Sequence, residues 1–138
     1  MQLGNFYNEM ISMFTNCMDR TFGGDMKKTS SLCQFENRGF FKLEYYYSPH
    51  DYRIVIENEM NLYDITIIDN EQASNSLFRI CKFKNQLSED SIENAVSLLK
   101  TVLVENRFSL YFHKDGKLYR KNCDGVKRVK DLSELLRG

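Results

Sequence analysis

"GFFKLEYYYSPHDYRIVIENE", Gly39 to Glu59, decides how this chain is read. Phe41, Leu43, Tyr45 and Tyr47 alternate with Lys42, Glu44 and Tyr46, and Tyr52, Ile54 and Ile56 alternate with Arg53 and Glu57. Strict alternation sends successive side chains to opposite faces, so each run predicts a strand with one buried and one wetted face. Between them "SPHD" predicts a turn, because Pro49 presets φ at its second position. The pattern continues downstream: a second turn near "NEMN" leads into "LYDITIID", and "NEQASNS" leads into "LFRICKF". Four strands on short connections imply an antiparallel meander.

The flanks change period. From about Asn5 to Arg20, residues Phe6, Met10, Met13, Phe14, Cys17 and Met18 recur at helical spacing, with Tyr7 and Ile11 widening the apolar face. That face predicts a helix packed along the sheet. "FGGDMKKTSS", Phe22 to Ser31, breaks the periodicity with two glycines and small polar residues and reads as a mobile loop. Ser88 then caps a helix in "SEDSIENAVSLLKTVLVENR", with Glu89 and Asp90 at its positive end and a stripe of Ile92, Ala95, Val96, Leu99, Val102 and Leu103. "FSLYFHKDGKLYRK" predicts a hairpin turning at Asp115-Gly116, and "DLSELL" a closing short helix. The expected fold is α+β: a single antiparallel sheet, meander plus C-terminal hairpin, with helices packed on one face.

At 138 residues the chain is expected to form a single domain, 1–138. A chain of this size buries roughly 68% of its unfolded surface, enough for a core without disulfides or metal. Hydrophobic residues at 42% against 28% charged place it among globular chains, not disordered ones. Cys17, Cys33, Cys81 and Cys123 are far apart, so no zinc-knuckle spacing exists; Cys17 and Cys81 fall on apolar faces, as free thiols do in a reducing compartment. "MQLGNFYNEM" lacks a basic start followed by an apolar run, and no window approaches a membrane span. The expected location is the cytoplasm.

Catalytic motifs are missing from the sequence. There is no GxSxG elbow, GxGxxG, P-loop or HExxH. A paired-histidine ribonuclease would need His50 and His113 together, with Lys114 or Tyr111 on the phosphate, yet they fall in a turn and at a strand end. "HKD" at 113–115 lacks the spacing of the phospholipase D signature. Glu57 and Glu59 share a strand face but read as exposed alternation. The reading therefore assigns no catalytic, cofactor-binding or metal-ligating residue and expects no enzyme activity.

Charge is more telling. Nineteen basic and nineteen acidic residues cancel overall. Residues 44–71 nevertheless carry seven acids (Glu44, Asp51, Glu57, Glu59, Asp64, Asp69, Glu71) against Arg53 alone. Residues 114–130 carry seven bases (Lys114, Lys117, Arg120, Lys121, Lys127, Arg128, Lys130) against Asp115 and Asp124. Two readings compete for the acidic region: solvated strand faces partly neutralised by the basic one, or a surface for a basic protein partner. Tyr45, Tyr46, Tyr47, Tyr52 and Tyr63 lie in or beside it, and alternation turns Tyr46 outward, where tyrosine beside carboxylates makes an anchor. The expected contact residues are Tyr46, Asp51, Glu57, Glu59, Asp64, Asp69 and Glu71. A rival reading places RNA on the basic hairpin through Lys117, Arg120, Lys121 and Lys127, although the sequence pI of about 6.7 disfavours a dedicated nucleic-acid module. A generic adaptor subunit is a third.

In overall build, the chain resembles the small immunity proteins of bacterial toxin systems, particularly those against contact-dependent growth inhibition toxins. The likeness lies in an acidic aromatic sheet ("LEYYYSPHDYRIVIENEMNLYDITIIDNE"), one amphipathic helix and the hairpin "FSLYFHKDGKLYRK". It is a likeness of build across most of the chain, not of motif, so it transfers no residue roles. The resemblance implies a non-catalytic inhibitor that binds a cognate toxin domain, often a nuclease, one to one and blocks its active site, with no nucleic-acid, membrane or small-molecule partner.

Overall fold

The expected alternation is present in the computed structural model, which describes residues 3–34 and 39–130. Helix α1 (Leu3–Phe22) runs through a single 3-10 turn into β1 (Met26–Gln34), followed by β2 (Phe40–Tyr47), β3 (Tyr52–Glu59), β4 (Leu62–Ile68) and the short β5 (Ser74–Ser76). Helix α2 (Leu77–Ile80), helix α3 (Glu89–Glu105) and strands β6 (Leu110–Lys114), β7 (Lys117–Asn122) and β8 (Gly125–Arg128) complete the order. All eight strands pair with their sequence neighbours, antiparallel throughout, in one sheet ordered β1 to β8. The fold is α+β with a single antiparallel sheet, as the alternation implied.

The inward rows of β2, β3 and β4 meet the helices in one core. Phe41, Leu43, Ile54, Ile56, Ile65 and Ile67 have no solvent exposure, and Phe14, Met18, Ile92, Leu99 and Leu103 close over them from α1 and α3. Each fully buried side chain of this size contributes about 1.5–3 kcal/mol relative to exposure, which sets the register of the whole meander. Phe14 packs edge-on to Tyr63 at 5.1 Å and tilted against Phe41 at 6.1 Å. Tyr7, not Phe6 or Met13, supplies the N-terminal end of the α1 stripe. Gly39 explains why: with φ +65° it lies so close to the Tyr7 ring that a Cβ would sit 1.9 Å from Cε2. Polar contacts also tie α3 to the sheet. The Tyr63 hydroxyl bonds Ser91 of α3, and Tyr52 donates at 2.6 Å to Oδ1 of Asn106, the left-handed residue closing α3. Ser88 caps α3 as expected, accepting from the Ser91 N–H.

Three local expectations are revised. "FGGDMKKTSS" is not a loop: its glycines turn the chain, but Met26 already begins a nine-residue edge strand. Every side chain from Lys27 to Cys33 is exposed, so β1 has no apolar alternation to read. "LFRICKF" is not the fourth strand. Ser76 accepts from the Arg79 N–H and starts the short α2, while the strand is the preceding Ser74–Ser76. The C-terminal hairpin gains a third strand, β8. "DLSELL" lies outside the described residues. Among the described residues, no helix is long and apolar enough to cross a membrane.

Candidate functional site

Alternation leaves one sheet face outside, and pairing fixes which side chains share it. Lys42 stands opposite Glu57, and Glu57 opposite Asp64; at the other end of these strands Tyr46 stands opposite Arg53, and Arg53 opposite Ile68. Between those rows Glu44 receives Lys42 Nζ at 3.7 Å and Arg53 at 4.0 Å. The centre of the acidic region is thus neutralised locally, and its two ends are separated.

The β3–β4 end forms a cleft of about 560 Å³ lined by Phe40, Glu57, Asn58, Glu59, Met60, Leu62, Tyr63, Asp64 and Asn85. Its frame is built from two amides. Asn58, only 4% exposed, accepts from the Phe41 N–H at 2.7 Å and donates to the carbonyls of Gly39 at 2.8 Å and Met60 at 3.0 Å. This fixes the turn in which Met60 adopts φ +56°. Asn85 donates to the Tyr63 carbonyl at 3.1 Å, while its own carbonyl accepts from the Tyr63 N–H and Leu87 N–H reaches the Asn61 carbonyl. On this frame Met60 is 67% and Leu62 52% exposed. Glu57, Glu59 and Asp64 stand around them, and none has an ion-pair partner among the described residues. Asp64 Oδ1 accepts from Ser76 Oγ at 2.9 Å and from the Ile65 N–H, which orients its carboxylate. Exposed thioether and isobutyl groups ringed by unpaired carboxylates suit a partner segment that is both cationic and apolar.

The other expected contact residues lie elsewhere. Tyr46 and Asp51 are about 13 Å along the strands from Glu57, from four residues at strand rise. The Tyr46 hydroxyl donates to Asp51 Oδ1 at 2.7 Å, and that bond raises the pKa of the phenol. Asp69 is 8% exposed and works as a loop clamp: Oδ1 accepts the N–H groups of Glu71 and Ala73 at 2.9 Å each, and Oδ2 accepts Lys121 Nζ at 2.8 Å. Glu71 completes the clamp on Lys121. The structure therefore brings together Glu57, Glu59 and Asp64 of the seven, pairs Tyr46 with Asp51, and ties Asp69 and Glu71 to the basic hairpin. The bland reading, mutual neutralisation of the two charged regions, holds at Lys121.

The chain matches no protein-family model, no curated protein and no solved structure.

Among the basic candidates, Lys117 is exposed at the β6–β7 turn and Arg120 pairs in register with Lys127 on the outward face, while Lys121 is held by the two carboxylates. His50 packs between Tyr47 and Tyr52, with both centroids 5.9 Å away, and His113 lies on β6, three strands from β3. The fold does not pair them. Sequence reasoning missed Phe40, Met60, Leu62, Asn58 and Asn85. Met60 and Leu62 carried a signal, two large apolar residues at a turn between acidic strands; Asn85 carried none.

Proposed function

We propose that this protein is a non-catalytic inhibitor of the immunity type, which binds a bacterial toxin domain one to one in the cytoplasm and blocks its active site. The observation that supports this most is the β3–β4 cleft, where unpaired Glu57, Glu59 and Asp64 surround exposed Met60 and Leu62. A nuclease toxin presents cations to hold its phosphate substrate, and this cleft offers those cations carboxylates while the apolar pair supplies desolvated contact. The rigid frame of Asn58 and Asn85 limits the ordering cost of binding.

The test is protection. Cells expressing the toxin domain encoded beside this gene should survive with the wild-type protein and die with the triple variant Glu57→Lys, Glu59→Lys, Asp64→Lys, provided the variant remains folded and abundant. Equal survival with both proteins would remove the cleft from the account. The second reading, RNA binding by the hairpin, is supported by Arg120 and Lys127 sharing an outward row with Tyr111. It predicts salt-dependent RNA retention that alanine at Lys117, Arg120 and Lys127 abolishes.

A further inference from the structure

The sheet is thinnest where β5 meets β6. Strand β5 has three residues, and only Ser74 pairs across to Tyr111. The two halves of the sheet part beyond that contact, leaving a second cleft of about 490 Å³ on the outward face. Thr66, Ser74, Arg79, Tyr111, His113 and Leu118 line it. It is chemically opposite to the β3–β4 cleft, because among the described residues no carboxylate lines it and cationic and hydroxyl donors do.

Those donors are uncommitted. Arg79 makes no ion pair among the described residues, and the hydroxyls of Thr66 and Ser74 have no hydrogen bond there. Tyr111 is the deciding residue. It is 8% exposed, yet its hydroxyl has no partner among the described residues. Nor is that hydroxyl sealed from solvent as the Tyr45 hydroxyl is, and Tyr111 is one of the residues that line the cleft. A phenol hydroxyl that reaches solvent and has no partner among the described residues is free to donate to a ligand oxygen in exchange for water. The neighbouring polar groups are already occupied: Asn75 bonds the Ser109 carbonyl and the Ser76 N–H, and Ser76 Oγ bonds Asp64 and the Arg79 N–H. They hold the rim in place without competing for a guest.

We propose that this cleft binds a small phosphate monoester. A guanidinium fork matches two phosphate oxygens. The three hydroxyls of Thr66, Ser74 and Tyr111 exceed what a carboxylate can accept alongside that fork, and a phosphate's terminal oxygens can take them up. The cleft is far larger than phosphate alone, so the ester carries a body, which lies against the Leu118 side chain and the His113 ring at the edge. A nucleoside monophosphate has this chemistry. The site shares no lining residue with the β3–β4 cleft, and the one bond between them among the described residues runs from Ser76 Oγ on its rim to Asp64.

The experiment is an amide-shift titration of the full-length labelled protein with AMP, adenosine, inorganic phosphate and a short single-stranded RNA. AMP should move the amides of Ser74–Arg79 and Leu110–His113, inorganic phosphate should move the same amides more weakly, and adenosine should leave them in place. Arg79→Ala, at an exposed side chain, should weaken AMP by about tenfold to a hundredfold, the range for losing a hydrogen-bonded charge. Tyr111→Phe, which removes one oxygen, should weaken it several-fold. No amide movement by AMP up to about 10 mM, or equal affinity in Arg79→Ala, overturns the proposal. RNA binding without AMP binding also overturns it and assigns the anion contacts to β7 and β8. Toxin protection by Arg79→Ala should match wild type, so a failure here and a failure of the inhibitor reading are separately visible.

Discussion

Replacing Asp69 by alanine should damage the fold, not an interface. Its carboxylate holds the β4–β5 loop by accepting two backbone N–H groups at 2.9 Å, and joins that loop to β7 through Lys121 at 2.8 Å. A hydrogen bond to a charged acceptor contributes about 1.5 kcal/mol at the low end, so the two amides together account for about 3 kcal/mol. The ammonium contact adds less than about 1 kcal/mol, because Lys121 is 31% exposed and keeps Glu71 as a partner. The expected loss of about 3 kcal/mol corresponds to a fall in Tm of about 10 °C for a domain of this size. Asp69→Asn keeps an acceptor for both amides but loses the charge and turns an NH2 group towards Lys121 in place of Oδ2, so it should cost about 1–2 kcal/mol. The same contacts, Asp69 first and Glu71 second, raise the Lys121 pKa above its ordinary 10.5. A raised lysine pKa means the stabilisation is complete below that pH and disappears as pH climbs through the elevated value. Urea denaturation of the three proteins reads these differences directly. If alanine and asparagine are both within about 0.5 kcal/mol of wild type while toxin affinity falls, Asp69 belongs to a contact surface and the clamp assignment is mistaken.

Other consequences follow from the same geometry. Gly39→Ala places a Cβ inside the Tyr7 ring at a left-handed φ, so backbone strain and overpacking should together remove about 2–6 kcal/mol in a denaturant melt. Asn58→Ala deletes three hydrogen bonds and orphans the Phe41 N–H, with an expected cost of about 2–4 kcal/mol and loosened amide-exchange protection at Met60. Tyr63 is pushed up to about 12 by burial. Because the unfolded phenol ionises near 10, its contribution is intact below that pH and declines as pH rises towards 12, which phenolate absorbance followed alongside unfolding should show.

The legible parts of the fold were those where burial dictated the residues. Phe41, Leu43, Tyr45 and Tyr47 are inward because a one-residue slip would expose all four, and the α3 stripe at Ile92, Ala95, Val96, Leu99 and Leu103 is buried for the same reason. Strand β1 was illegible because an edge strand wet on both faces has no hydrophobic period, and Lys27 and Lys28 protect such an edge in place of packing. "LFRICKF" misled because a short apolar run fits either element, and the Ser76 cap decided it. In the candidate site, carboxylate positions on strands followed from alternation. Their division into separate clusters did not, since it depends on which carboxylates Lys42 reaches along its own strand and Arg53 and Lys121 reach from other strands. Linear charge counts do not contain that information.

The most direct test of the central claim is the association rate with the toxin domain at low and high salt. The triple reversal Glu57→Lys, Glu59→Lys, Asp64→Lys should slow association about tenfold or more at low salt and flatten its salt dependence, as loss of a steering field does. Asp51→Asn with Glu71→Gln, which alters carboxylates outside the cleft, should leave both near wild type. Unchanged association for the triple variant, or equal slowing by the distant pair, would contradict the assignment of the partner to the β3–β4 cleft.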